Sequence, residues 1–243
     1  IWFVVVLGFA VLLRFGLAAV SEPHNPQPLG PPLFGGVMLF VLGLALLVVP
    51  ALTAQSVNGD RERGTLATLQ VTRLSAAEIA VGKLAAAWGT AVTFLLLTLP
   101  ITLWAVIEGG LTFGKVAVTL LIVALLLGVV CAVSQALSAL LARSITSALL
   151  SYLAVFALTV GTLIGFGLAT ALTTERTTVT QEQPVFDPTT GQEIPGQTET
   201  VSYSTTRSRT DRTWPLLAPN PFVILADAAP RLPTRRHPVT GEP

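Results

Sequence analysis

The chain has 243 residues, of which 52% are apolar and 11% charged, with a net charge of +1. Its mean hydropathy of +0.73 is far above what a water-soluble domain of this length needs for its core, which excludes an ordinary soluble globule and indicates an integral membrane protein. The net charge argues for neither nucleic acid nor an acidic ligand, because the information lies in distribution: residues 1–172 carry twelve charged side chains and residues 173–243 carry fifteen.

A hydrocarbon core about 30 Å thick is crossed by roughly 20 helical residues. Ile1–Val20 is the first stretch of that length. It is too long for the apolar region of a signal peptide, and SEPHNPQP follows it instead of a small-residue cleavage pattern, so a span is expected. Arg14 lies inside it, where a central arginine costs about 2.5–3.5 kcal/mol on insertion scales. Because Arg14 falls towards the outer third, snorkelling to the outer interface is the expected resolution, with helix pairing or a substrate-facing role as alternatives. The next spans are Phe34–Ala54, Leu84–Ile107, Val116–Leu141 and Ile145–Leu172. All five are apolar on every face, which suits a helix in lipid, and lack the alternation of barrel strands. The expected fold is an all-α polytopic helical bundle. Pro50 and Pro100 are expected to kink their helices, while Gly161 with Gly165, and Ser134 with Ser138 and Ala142, make small faces suited to helix packing.

Basic residues in short loops set the orientation. The loop 55–83 carries Arg61, Arg63, Arg73 and Lys83, and the turn 142–145 carries Arg143, whereas SEPHNPQPLGPP has none and EGGLTFGK has only Lys115. Loop 55–83 and the 142–145 turn are therefore expected in the cytoplasm and the tail after Leu172 outside.

The tail, 173–243, divides by composition. Residues 173–213 are rich in Thr, Ser, Gln and charge, and VFDPTTGQEI offers a turn between apolar flanks, compatible with a β-hairpin or a disordered loop. The apolar run after Asn220-Pro221, about 221–229, is too short to span and is expected as an interfacial or re-entrant helix.

Ser75 followed three residues later by Glu78 is a capping box that starts a new helix at about Ala76 and runs it into the third span. Upstream, Asp60 to Val71 contains adequate helix formers with acids at its N-terminal end, which suits the helix dipole. Thr72–Leu74 would form the corner. The plain alternative is a solvated loop with an interfacial helix.

The order VPALTAQSVNGDRERGTLATLQVTRLSAAEIAVGKLAAAW resembles the region of ABC-2 type transporter permeases that joins the second span to the third. Glu62 and Arg63 correspond to the acidic/basic pair and Gly64, Thr65 and Leu66 to the G-T-L of the family's core, Thr72, Leu74 and Ser75 to its turn, and Glu78, Ile79, Gly82, Lys83 and Leu84 to the entry to the next helix. Arg73 stands where the family usually has proline. The resemblance implies a permease subunit whose cytoplasmic loop is a coupling helix seated in a groove of a separate ATP-binding subunit. It implies polar contacts to that partner from Arg61, Glu62 and Arg63, apolar ones from Leu66 and Leu69, and close approach at Gly64, with Thr65 in the same segment. It also implies a second permease subunit, ATP and magnesium held by the partner, six spans in the full protein with the sixth beyond Pro243, and a prokaryotic-type cytoplasmic membrane. Both ends of the chain are expected to continue, since it begins at Ile1 and stops in a loop-like stretch.

The chain itself lacks nucleotide chemistry. AAEIAVGKL has Ala77 where a P-loop needs its first glycine and Leu84 where it needs a hydroxyl. His24 and His237 lie in separate loops without ligand spacing, the single cysteine, Cys131, cannot form a disulfide or a thiolate metal site within the chain, and no serine sits in a nucleophile elbow. No catalytic residue and no metal site are expected. The alternative to an exporter is a non-transporting membrane subunit of an ABC-type mechanotransmission or assembly complex. A secondary transporter would ordinarily hold ionisable groups at mid-membrane, and the four spans after the first have none.

Overall fold

The computed structural model describes residues 1–21, 28–64, 75–186, 193–208 and 210–230. Five helices are long and apolar enough to cross a membrane: Trp2–Val20, Gly30–Glu62, Ala76–Ile107, Phe113–Leu140 and Ser144–Leu172. The molecule is a mostly helical, polytopic membrane protein. Its elements are α1 (Trp2–Val20), α2 (Gly30–Thr53), α3 (Asn58–Glu62), α4 (Ala76–Leu96), α5 (Leu99–Ile107), α6 (Phe113–Leu140), α7 (Ser144–Phe156), a π-turn (Ala157–Gly161), α8 (Thr162–Leu172), β1 (Thr174–Phe186), β2 (Glu193–Ser208), α9 (Thr210–Thr213), a 3₁₀ turn (Trp214–Leu217) and α10 (Pro221–Ala228).

The chain divides into two compact units, 1–159 with 219–243, and 160–218. In the first, α2 is the hub, packing against α1, α4, α5, α6, α7 and α10. Phe34, Met38, Val41, Ala45 and Val49 recur every three or four residues and are all but fully buried, so one face of α2 forms the core stripe. Because lipid is as apolar as leucine, this packing is held by close van der Waals contact and internal polar bonds instead of by exclusion of water. Gly30 shows how close the contact is: a β-carbon there would fall 2.1 Å from the Gly109 carbonyl oxygen. Gly109 and Gly110 end α5 with φ of +86° and +79°, a conformation that favours glycine.

Proline acts differently at its two sites. Pro50 stays within α2. Pro100 lies in the first turn of α5, and Thr98, whose hydroxyl donates to Leu95 O at 2.6 Å, marks the break between α4 and α5.

Arg14 does not reach for an interface alone. Its Nε donates to Glu108 Oε1 at 2.7 Å, with both side chains mostly covered. A carboxylate at this distance offsets the desolvation that drives an unpaired arginine to snorkel.

The short apolar run forms α10, which packs on α2 and α6. Pro221 suits the first turn because the amide it lacks has no helical partner there. Asn220 Oδ1 accepts from Phe222 N and Val223 N, and Asn220 Nδ2 donates to Thr159 O at 2.7 Å. That carbonyl belongs to the π-turn, whose wider winding presents it to a side-chain donor. At the other end Thr119 Oγ1 donates to Ala228 O.

The second unit contains an antiparallel ribbon. Its register sets Thr174 opposite Ser208 and Val179 opposite Tyr203, with an irregularity between Pro184 and Phe186 where proline cannot donate. The expected turn at 187–192 lies outside the described residues. In the same unit the Thr170 and Thr213 hydroxyls are 3.1 Å apart.

Gly30→Ala should lower bundle stability by about 1–3 kcal/mol, the usual cost of overpacking. Gly8→Ala, with nothing within 4 Å of the added carbon, should leave it unchanged. Thermal unfolding of the two variants in detergent checks this, and equal effects would contradict the close approach.

Candidate coupling elbow and apolar groove

The chain between α2 and α4 begins as a tight elbow. Thr53 Oγ1 donates to Val49 O, Ala54 closes α2, and residues 54–57 turn into α3. Val57, the residue before α3, supplies no side-chain cap. Ser138, on the last turns of α6, supplies it: its Oγ accepts from Val57 N at 3.2 Å and from Asn58 N at 3.3 Å. Two orphan helix-start amides are thus satisfied from a residue eighty positions away.

Further links join the same elbow to three spans. Arg61 Nη1 donates to Asn58 Oδ1 at 3.2 Å and to Leu141 O at 3.3 Å, where α6 ends and its last carbonyls lack partners. Glu62 Oε1 accepts from Ser144 Oγ at 2.6 Å, at the first residue of α7, where a carboxylate also suits the helix dipole. Ser147 Oγ donates to Ala54 O at 2.9 Å. The Lys83 ammonium reaches across from α4 to Ser56 O and the Asp60 carboxylate. Gln135 Nε2 ties α6 to α4 through Ala80 O at 2.7 Å.

The seam is incompletely bonded. Among the described residues Ser56 Oγ, Asn58 Nδ2, Ser134 Oγ and Gln135 Oε1 are buried without a hydrogen-bond partner. Such atoms raise the energy of this arrangement relative to one that satisfies them.

Arg61 and Glu62, read from sequence as polar contacts for a partner, make these hydrogen bonds within the chain, and both, like Arg63, are exposed. Gly64 adopts φ +70° with nothing near its missing β-carbon, so it ends the helix in a conformation that glycine favours. Helix α3 therefore runs over 58–62, starting two residues before the expected Asp60; the part of the expected helix from 65 to Val71 lies outside the described residues. Thr65, Leu66, Leu69 and the corner Thr72–Leu74 lie outside the described residues. The capping box is formed: Glu78 N donates to Ser75 Oγ at 3.2 Å and Ser75 N to Glu78 Oε2 at 2.7 Å.

Sequence reasoning missed the hydroxyls. Ser144, Ser147 and Ser151 recur at helical spacing in an otherwise apolar span and are all buried. That polar stripe was the available signal, and it would have marked α7 as facing polar partners.

From this end the α7 helix leads to a cavity of about 780 Å³ walled by α2, α7 and α10. Leu39, Gly43 and Leu47 face Leu149, Leu153 and Phe156 across it, with Phe222 of α10 on the rim. Its two hydroxyl groups are engaged, Tyr152 with Leu47 O and Thr159 with Val155 O, both at 2.8 Å. The walls therefore offer hydrocarbon.

Comparison with known proteins finds no matching family model, no matching curated protein and no matching solved structure.

Ser138→Ala would leave two helix-start amides unsatisfied, at a cost of about 1–3 kcal/mol where such groups are buried. Hydrogen exchange of Val57 and Asn58 should accelerate at least tenfold relative to α2. Unchanged exchange would contradict the cross-chain cap.

Proposed function

We propose that the chain is a permease subunit of an ATP-driven ABC-2 type transporter, moving a substrate across or out of the cytoplasmic membrane with energy from a separate ATP-binding subunit. The observation that carries this reading is the elbow itself, a short helix tied by side chains to the start of α4, the end of α6 and the start of α7. The resemblance of residues 62–84 to the coupling region of such permeases supplies the partner, and the contacts supply a mechanical route. ATP and magnesium belong to the partner, which would grip the loop at the exposed Arg63 and at Leu66. Displacement of α3 would draw on Ser138 and on the Glu62–Ser144 link. Since α7 forms one wall of the apolar groove, movement at its start would reshape the groove. A second permease subunit completes the assembly, and the groove is the part of this chain suited to the apolar portion of a substrate.

One observation favours the alternative, a non-transporting subunit that passes ATPase motion to an outside partner: the residues after the fifth span form a long ribbon. Replacing residues 175–207 with a short linker separates the two, since an exporter should keep ATP-dependent transport whereas a transmission subunit should lose its effect on the outside partner.

Affinity purification of the full-length protein from membranes, with mass spectrometry of what accompanies it, tests the main reading. Wild type should bring down an ATP-binding subunit, and Arg63→Ala with Leu66→Ala should lose it while still inserting. Ser144→Ala should keep the partner, yet reduce the ATP-dependent change in labelling of a cysteine introduced at Leu153. Wild type that purifies without any ATPase under conditions that preserve complexes would refute the assignment.

A further inference from the structure

A lone two-stranded ribbon is marginally stable in water, and three or more strands with an apolar face are needed for independence. The ribbon β1–β2 is a two-stranded sheet. On one face Val179 stands opposite Tyr203 and Gln181 opposite Val201, with Val179, Val201 and Tyr203 each more than a third exposed. Each strand also presents an outer edge of backbone donors and acceptors, which is a template for a further strand.

The β1 edge carries a self-complementary order. In Glu175-Arg176-Thr177-Thr178-Val179-Thr180-Gln181-Glu182-Gln183, a base lies three positions before Val179 and an acid three after it. Within the hairpin, Arg176 stands opposite Thr206 and Glu182 opposite Thr200, so the register gives neither an opposite charge. Strand β2 has a similar order around Tyr203, from Glu199 to Arg207, but there Arg207 already stands opposite Glu175. This difference selects β1.

We propose that β1 pairs edge to edge with β1 of a second copy of the chain, antiparallel about a two-fold axis at Val179. In that register Arg176 of each copy stands opposite Glu182 of the other, Thr178 opposite Thr180, and Val179 opposite itself. The contact is isologous and closes at two copies. Tyr203, Val179 and their symmetry mates then form one apolar row across four strands, the arrangement in which cross-strand pairs stabilise a sheet. Parallel pairing in register would instead oppose like charges. Two copies in one bilayer are related by an axis along the membrane normal, so the paired strands run across that axis. The inference rests on the ribbon alone, and failure to find an ATP-binding partner would leave it standing.

Cysteine cross-linking of the full chain in native membranes tests it, and the chain's one cysteine, Cys131, is buried. Val179→Cys should give a disulfide-linked dimer under mild oxidation. Thr177→Cys alone should give at least tenfold less, because its symmetry mate is four residues along the strand, about 13 Å away, beyond the roughly 4.4–6.8 Å between α-carbons that a disulfide accepts. Co-expressing Thr177→Cys with Gln181→Cys chains should restore the link. Arg176→Glu in the Val179→Cys background should cut cross-linking at least fivefold, and adding Glu182→Arg should restore it. Equal cross-linking at 177 and 179, a Val179→Cys chain that stays unlinked, or charge reversal without loss and rescue would each overturn the proposal.

Discussion

A helix that ends at the edge of a membrane leaves up to four backbone groups unsatisfied, and where the chain turns back at once these groups must find partners in the same molecule. The elbow after α2 meets this constraint from a distance. Ser138 caps α3 from the end of α6, and Arg61 returns the favour by donating to Leu141 O. Each helix end is completed in part by the other, so the two are structurally dependent. The same reciprocity appears at the start of α7, where Ser144 and Ser147 bond to Glu62 and Ala54.

This dependence gives the fold a mechanical character. Helix α3 has only five residues and could not persist as an isolated helix. Its form is held by the spans around it, and a force on it is therefore passed to them. One such path leads into α7, where Ser144 and Ser147 bond to the elbow at one end and Leu149, Leu153 and Phe156 line the groove further along. Where α7 passes into the π-turn, Asn220 grips the Thr159 carbonyl, and this ties α10 to the far side of the same groove. The groove is thus bracketed by two polar fastenings, both made by side chains and both able to break without unfolding a span.

The spans were legible because each is a long run of apolar residues, a signal that needs no tertiary information. The start of α4 was legible because a capping box is local: Ser75 and Glu78 stand three residues apart. The start of α3 was not, because its first amides are capped by Ser138, eighty positions away in the chain. The partner of Arg14 was not legible for a similar reason, since Glu108 lies 94 residues away and no periodicity connects them. For 173–213, hairpin and disorder were both open in the sequence, and the long threonine-rich ladder forms the hairpin. The groove left no trace in the sequence, as apolar residues that line a cavity read the same as those that meet lipid.

The most direct test of the mechanical claim is hydrogen–deuterium exchange on the complex reconstituted with the proposed ATP-binding subunit, with and without a non-hydrolysable ATP analogue. If the elbow drives the groove, protection should change together in residues 57–64 and in residues 144–153 at the head of α7. A change confined to residues 57–64, with α7 unaffected, would contradict the account.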